Sequence, residues 1–171
     1  MHNKFPIITS PTLKRNDFQA EFERILATDF KELIIISPFV DGEVITNVLR
    51  HFRYNDKNLT IASRYGDLYK DQKQRVTEAA EKIVKFAEKD PTITTRIRWL
   101  VVKTLHAKLV IRDWMEVLFG SQNFTYSAWR NNYELGALID DPAEVAKVRP
   151  FVEDLLKNHN GNPLFPRKVR K

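Results

Sequence analysis

The stretch HAKLVIRDWMEVLFGSQN, residues 106–123, decides how the centre of this chain folds. Its two halves, KLVIRD and EVLFGSQ, are rich in β-branched and apolar residues, and a short break at 113–116 separates them. Such a pattern is typical of two strands joined by a tight turn. It predicts an antiparallel hairpin that turns between Trp114 and Met115.

The predicted register determines which side chains meet. It sets Lys108 opposite Ser121 and His106 opposite Asn123, and all four lie on one face because side chains alternate along a strand. Directly opposed Cβ atoms lie about 5 Å apart, so these polar groups would converge on an area the size of a phosphate. Asp113 has the opposite parity to His106, and we assign it a structural role at the hairpin turn.

The spacing of these residues is specific. The chain reads HxKxxxxD from His106 and, after six further residues, GSxN from Gly120. Six specified residue types would match by chance in roughly one in 10⁶ chains of this length. The pattern is the signature of the phospholipase D superfamily, and the sequence resembles that signature without a substitution. Within the motif we assign Gly120 a structural role, as we do Asp113. Glu134 extends the resemblance, which covers residues 105–140, because family members place an acidic residue shortly after GSxN.

Phosphodiester cleavage needs a nucleophile, stabilisation of charge on the phosphoryl oxygens and an acid for the leaving alkoxide. The resemblance implies that His106 attacks phosphorus and forms a covalent phosphohistidine, which water then resolves. Lys108 supplies a point charge beside the phosphate, and Asn123 and Ser121 supply neutral donors. A carboxylate such as Glu134, hydrogen-bonded to the far ring nitrogen of His106, would fix the tautomer and stabilise the imidazolium.

The chain carries one copy of the motif, which is half of such a site. In the superfamily a histidine from a second motif protonates the leaving group, and small members with one motif pair as homodimers. The resemblance therefore implies a two-fold dimer in which both His106 side chains face one phosphate. No Asp, Glu or His cluster has convincing metal-ligand spacing, so neither a metal nor a cofactor is expected.

The chain has 171 residues, a net charge of +6 and no cysteine. Its length predicts one domain, placed at 1–158, followed by a basic C-terminal tail at 159–171.

The N-terminus lacks the apolar core of a signal peptide, and no apolar run approaches the roughly eighteen residues of a membrane span, so we expect a cytoplasmic protein. The basic balance favours an anionic partner, nucleic acid or an acidic membrane surface, although many small proteins are this basic without one.

Strands and helices alternate along the rest of the chain. Residues 1–15 are predicted to be an extended lead-in, and KELIIIS at 31–37 is an apolar run typical of a strand buried on both faces. The other predicted elements are helices beginning at residue 16 or 17, after Asp41, at 71–89, at 123–130 and after Asp141, and strands at 59–63, 93–102 and 133–140. Together they predict an α/β domain with a mixed sheet of about six strands and helices on both faces. The first amides of the short helix at 123–130 could help to cradle an anion.

The leading functional hypothesis is an endonuclease that hydrolyses DNA. Small single-motif members of the superfamily are of this kind, and a basic protein suits a polyphosphate backbone. The alternatives are a lipid phosphodiesterase or phosphatidyl transferase, and an inactive module that binds nucleic acid. Arg96, Arg98, Trp129 and Arg130 are possible nucleic-acid contacts, although aromatic residues that follow a buried hairpin are as often part of a core.

Overall fold

The computed structural model describes residues 7–10, 17–52, 56–65 and 70–158. The predicted tail at 159–171 lies outside these residues. The described part of the chain forms one seven-stranded sheet with helices on both faces. This confirms the predicted α/β class.

The sheet has the strand order β1-β7-β6-β5-β2-β3-β4. In chain order the strands are β1 (Ile7–Ser10), β2 (Glu32–Ile36), β3 (Asn58–Ser63), β4 (Ile97–Val101), β5 (Leu109–Arg112), β6 (Glu116–Gly120) and β7 (Glu134–Ile139). Pairing is parallel between β2, β3 and β4 and antiparallel elsewhere, so the sheet is mixed as predicted. The sheet has one strand more than the expected six. This strand is β1, which lies in the segment predicted to be an extended lead-in. It was not predicted because four residues are too few to show a hydrophobic period.

In the described part of the chain, five α-helices cover the two faces of the sheet. They are α1 (Asp17–Ala27), α2 (Gly42–His51), α3 (Lys70–Lys89), α4 (Tyr126–Asn131) and α5 (Pro142–Asn158). Buried residues of α1 to α4 form one core with one face of the sheet, and α5 forms a smaller core with the other face.

Strand β2 lies between the two cores. Leu33 and Ile35 belong to the core beneath α1 to α4, whereas Ile34 and Ile36 belong to the core beneath α5. All four side chains are at most 1% exposed. Burying an aliphatic side chain of this size stabilises the fold by about 1.5–3 kcal/mol, so this short strand is one of its main anchors. The prediction of a strand buried on both faces is confirmed.

The strand predicted at 93–102 is shorter than expected. Pro91–Thr95 form a 3-10 helix, and β4 begins only at Ile97. Asp90 caps the helix, since its Oδ1 accepts a hydrogen bond from the backbone N of Thr92 at 3.0 Å. Proline at the first position has its φ already fixed for a helical turn, so this local chemistry overrides the β propensity of the residues that follow.

The hairpin of β5 and β6 forms as predicted, but its predicted register is wrong by one residue. Leu109 pairs with Phe119 and Arg112 pairs with Glu116, which leaves a three-residue turn. Lys108 is therefore opposite Gly120, whose backbone N donates to the Lys108 carbonyl oxygen at 3.2 Å. Lys108 is not opposite Ser121.

The turn itself explains the shift in register. Asp113 and Trp114 adopt positive φ values of 51° and 55°. Asp113 Oδ1 accepts hydrogen bonds from the backbone N of Lys31 at 2.9 Å and of Glu32 at 2.7 Å. Asp113 thus joins the turn to the beginning of β2. It does so at the end of β5 opposite to His106.

Candidate active site

An open cleft of about 750 Å³ lies where β2 and β3 end and β5 begins. Its lining includes four of the five residues predicted to be catalytic, His106, Lys108, Ser121 and Asn123, together with Gly120. The predicted residues therefore do meet, although the register that led to this expectation is wrong. His106 and Lys108 precede β5, and Ser121 and Asn123 follow β6. In these loops side chains need not alternate between the faces of the sheet, so all four can point into the cleft.

His106 and Lys108 lie in the loop that leads into β5, and the strand begins only at Leu109. Lys108 Nζ donates to the His106 carbonyl oxygen at 2.6 Å and lies 3.3 Å from His106 Nδ1. A charged ammonium has no lone pair, so in this contact Nδ1 must be the acceptor. An imidazole that is neutral and accepts at Nδ1 carries its proton on Nε2.

Two opposing effects act on the pKa of Lys108. Partial burial of the ammonium is the larger effect and lowers the pKa, whereas the negative charge of Glu134 raises it. The net pKa lies below the usual value for lysine. The cation of the cleft is therefore easier to deprotonate than a surface lysine.

Glu134 is bound to Ser121, and the predicted hydrogen bond between Glu134 and the ring of His106 is absent from the described residues. Ser121 Oγ donates to Glu134 Oε2, and Asn132 Nδ2 donates to Glu134 Oε1 at 3.3 Å. Ser121 Oγ also accepts from the backbone N of Leu135 at 3.1 Å. Because a hydroxyl has one proton, Ser121 cannot donate to a phosphoryl oxygen while it donates to Glu134.

Gly120 allows the close approach of β6 to β7. A Cβ atom added at this position would lie 2.6 Å from the carbonyl oxygen of Leu135 and 2.9 Å from Cα of Gly136. Oε1 of the Gln122 side chain would lie closer still. Because the other two neighbours are backbone atoms, any larger residue would push the strands apart. This close approach holds Ser121 next to the beginning of β7, which supports the structural role assigned to Gly120.

Two amide side chains after β6 have buried atoms without a hydrogen-bond partner in the part of the chain that the structure describes. Asn123 lines the cleft, and its buried Oδ1 makes no hydrogen bond there. Gln122 is completely buried, and neither its Oε1 nor its Nε2 is hydrogen-bonded. Sequence reasoning did not single out Gln122, because a glutamine in a polar loop ordinarily faces water.

The expectation that the helix after GSxN cradles an anion is wrong. Helix α4 begins at Tyr126, and Thr125 caps it by accepting from the backbone N of Ala128 at 3.3 Å. The backbone N of Tyr126 donates to Asp41 Oδ2 at 2.6 Å. Asp41 also caps α2 by accepting from Val44 N at 3.0 Å. One carboxylate thus serves both helices and occupies the amide that an anion would need.

Trp129 belongs to the core and cannot contact nucleic acid. It is 3% exposed, and its ring centroid lies 5.0 Å from that of Phe22 and 5.9 Å from that of Phe124. Arg130 is on the surface, with its guanidinium 4.2 Å from the ring centroid of Tyr126. Neither residue lines the cleft.

Arg96 and Arg98 are also outside the cleft. The guanidinium of Arg96 donates to the carbonyl oxygen of Lys57 at 3.4 Å and pairs with Asp90 at 3.6 Å. Arg98 donates to the carbonyl oxygen of Leu156 at 3.2 Å. Both residues lie near the beginning of β4. The cleft is at the opposite edge of the sheet, beyond the carboxyl ends of the parallel strands.

Arg64 is a cleft residue that the sequence analysis missed. It directly follows β3 and lines the cleft, and its backbone N donates to the carbonyl oxygen of Pro38 at 3.2 Å. Its position directly after a predicted strand could have identified it, because ligands of α/β sheets bind beyond the carboxyl ends of parallel strands. Arg64 brings a second cation to the cleft that holds Lys108.

Neither a cluster of metal ligands nor a membrane-spanning helix is found among the described residues. No group of three or more His, Cys, Asp or Glu side chains in those ranges could hold a metal ion. Nor does any helix there combine the length and the apolar character needed to cross a membrane.

The chain was compared with known proteins. The sequence model of one family, described as "Cardiolipin synthase, PLD-like domain", matches residues 24–156. None of the curated protein sequences compared with the chain matches it.

Three solved structures illustrate the similarity in fold. A phospholipase D family member, Nuc, from Salmonella typhimurium is 14% identical with a TM-score of 0.68, covering 91% of this chain and 95% of that one. TrmBL2, an archaeal chromatin protein with a novel mode of DNA binding, is 15% identical with a TM-score of 0.60, covering 93% and 55%. Phosphatidylserine synthase from Haemophilus influenzae Rd KW20 is 19% identical with a TM-score of 0.68, covering 92% and 38%. At these identities the similarity shows a shared fold.

Proposed function

The chain belongs to the cardiolipin synthase, phospholipase D-like domain family, and we propose that it is an endonuclease that hydrolyses DNA without a metal ion, through a covalent phosphohistidine on His106. The observation that carries this proposal is the convergence of His106, Lys108 and Arg64 in one open cleft. A nucleophile thus lies beside two cations that can bind a phosphodiester.

In the first step, Nε2 of His106 attacks phosphorus and forms a P–N bond while the bond from phosphorus to the leaving oxygen breaks. The His106 of a second protomer gives its proton to that oxygen. In the second step, water attacks the phosphohistidine and gives a proton back to the second histidine, so both histidines are restored. Lys108 and Arg64 stabilise the charge that develops on the phosphoryl oxygens.

The two histidines need different protonation states. The general acid must be an imidazolium, because a neutral imidazole that gave up its Nε2 proton would become an imidazolate. The nucleophile needs a free Nε2, so its ring is neutral and carries its proton on Nδ1. Both roles place a proton on Nδ1, so the 3.3 Å contact between Lys108 Nζ and Nδ1 of His106 must open when the substrate binds.

Exposed apolar side chains beside the cleft support the homodimer. Phe119 lines the cleft and is 39% exposed. Leu135 is 57% exposed, and its backbone is bonded to Ser121. Apolar side chains exposed so close to a polar site favour burial against a second copy, which would also supply the second histidine.

A lipid phosphodiester is the second candidate substrate. The description of the matching family as cardiolipin synthase and the shared fold with a phosphatidylserine synthase favour it. The DNA binding described for TrmBL2 favours nucleic acid. The net charge of +6 attracts a DNA backbone, whose charges follow one another at about 1.7 Å along the helix axis. The third candidate, an inactive binding module, would retain the cleft without turnover.

The test is cleavage of supercoiled plasmid by the purified protein in excess EDTA. His106→Ala is compared with His51→Ala, which removes a histidine at the end of α2, outside the cleft. Cleavage by the wild type and His51→Ala, but not by His106→Ala, is expected. Loss of cleavage in EDTA would refute the metal-independent mechanism. Turnover of phospholipid vesicles without cleavage of DNA would favour the lipid phosphodiesterase, and DNA binding without turnover of either would favour the inactive module.

A mixing experiment tests the shared site. Titrating His106→Ala into a fixed amount of wild type should lower the total activity below that of the wild type alone, because mixed dimers contain one intact histidine. Sedimentation should show a dimer under the same conditions. An active monomer, or activity unchanged on mixing after subunit exchange, would refute the shared site.

A further inference from the structure

A second groove continues the catalytic cleft on the far side of Asn123. This groove, called the α3–α4 groove, has a volume of about 180 Å³ and lies between the first turns of α3 and helix α4. Phe39 and Asn123 line both the cleft and the groove. A substrate bound at His106 would therefore have the groove directly beside it.

The lining of the groove is polar and mixed in charge. Asp71, Gln72 and Arg75 line it from α3, and Ser127 and Asn132 line it from α4 and the residue that follows that helix. A carboxylate repels a second phosphate, so this surface is not a simple anion site. Donors and acceptors side by side are what the edge of a nucleobase requires.

Apolar side chains also contribute to the lining. Phe39 is partly exposed there, whereas Val40, Val76 and Ala128 are at most 2% exposed. A planar base would therefore find its apolar surface mainly on Phe39 and polar groups for its edge. Pockets for drug-sized ligands usually measure roughly 300–1,000 Å³, so this smaller volume suits one ring system and not two acyl chains.

Arg75 and Asn132 are well placed to respond to a ligand. Arg75 is exposed and makes no hydrogen bond or ion pair with any residue that the structure describes. Asn132 Nδ2 donates to Glu134, which in turn accepts from Ser121 in the catalytic cleft. A base bound in the groove would therefore be connected to the cleft through Asn132 and Glu134.

We propose that the α3–α4 groove binds the nucleobase next to the scissile phosphate. The proposal rests on the proposed function and narrows it, since the substrate is then a nucleic-acid strand with at least one base unstacked. Phosphate contacts in the cleft hold the backbone, and the groove contacts the base. Cleavage should consequently depend on the presence of a base beside the phosphate.

Binding is measured by fluorescence anisotropy in the His106→Ala background, where the labelled DNA is not cut. The probes are a single-stranded oligonucleotide and an abasic strand of the same length and charge. Arg75→Ala should weaken binding of the normal strand by about tenfold and bring its affinity close to that of the abasic strand. Ser127→Tyr, which fills the groove, should have the same selective effect.

Lys85→Ala is the matched control, since it removes one positive charge from an exposed position of α3 that is about 15 Å farther along the helix. It should weaken binding of both strands slightly and equally. If Arg75→Ala also weakened both strands equally, the contact would be to phosphate and the base subsite would be refuted. Tighter binding to phosphatidylglycerol vesicles than to DNA, lost in Ser127→Tyr, would refute it in favour of a lipid.

Activity separates this proposal from the proposed function. In the catalytically intact protein, Arg75→Ala should lower kcat/KM for the oligonucleotide relative to that for bis(p-nitrophenyl) phosphate by about tenfold. An unchanged ratio would refute the subsite while leaving the proposed function standing. Failure of the wild type to hydrolyse either diester would refute the proposed function itself.

Discussion

The carboxylate of Glu134 raises the pKa of Lys108, and burial of the Lys108 ammonium lowers it by more. The two residues come from different elements, since Lys108 precedes β5 and Glu134 begins β7. Glu134 does not itself line the cleft. A residue outside the cleft thus shifts the pKa of the lysine inside it, so replacing Glu134 should change the pH at which Lys108 loses its charge.

The alkaline limb of the pH profile should report Lys108. Because its pKa is lowered from the ordinary value of 10.5, kcat/KM should fall on the alkaline side before a surface lysine would titrate. Lys108→Arg keeps its charge above pH 12, so it should move this limb to higher pH while lowering the maximal rate, since a guanidinium has a different shape. The measurement is kcat/KM between about pH 6 and 11. Coincident alkaline limbs would exclude Lys108 as the titrating group.

Glu134→Gln should shift the same limb in the opposite direction. Removing the negative charge removes the effect that raises the pKa of Lys108, so the limb should move to lower pH. Glu153→Gln, an exposed carboxylate on α5, is the charge-matched control and should leave the limb in place. A shift of equal size in both variants would mean that the net charge of the protein, and not the interaction between Glu134 and Lys108, raises the pKa of Lys108.

The same pair predicts how stability depends on pH. A lysine with a lowered pKa in the folded protein is disfavoured in its charged form, so the free energy of unfolding should rise as pH increases from that pKa to the ordinary value. In Glu134→Gln the rise should begin at a lower pH. Urea titrations at several alkaline pH values measure both curves.

Replacing Gln122 with methionine should stabilise the fold. Gln122 is completely buried, and its amide makes no hydrogen bond within the described ranges. Methionine fills a similar volume without polar atoms, so the free energy of unfolding should increase by about 1–3 kcal/mol in urea denaturation. Gln122→Ala, which removes the volume as well, should destabilise. A destabilised Gln122→Met would mean that the amide is bonded in the native protein.

The sequence predicted the elements whose signal is local. The apolar run of β2 shows directly that it is buried on both faces, and the motif spacing identified His106 and Asn123 as residues that meet. The register of the hairpin depends on bonds from Asp113 to the backbone of Lys31, which is distant in sequence. No local pattern carries that information. The position of Arg64 in the cleft likewise depends on the order of strands in the sheet.

Asp113→Ala should destabilise the protein without affecting the chemistry. Asp113 holds a positive φ of 51°, and its Oδ1 accepts two backbone hydrogen bonds from the beginning of β2. Alanine removes both bonds and is less tolerant of the left-handed region, so the free energy of unfolding should fall by about 1–3 kcal/mol.

Asp113→Asn separates the two contributions. Asparagine keeps a side-chain acceptor and adopts positive φ readily. The free energy of unfolding should therefore fall by less than about half as much in Asp113→Asn as in Asp113→Ala. Because the turn lies at the end of β5 opposite to His106, kcat/KM per folded molecule should stay within about twofold of wild type in both variants. Urea denaturation and active-site titration measure the two quantities. If activity per folded molecule fell as far as in His106→Ala, the third residue of the HxKxxxxD motif would have a role in catalysis, and the assignment of Asp113 to the turn would be wrong.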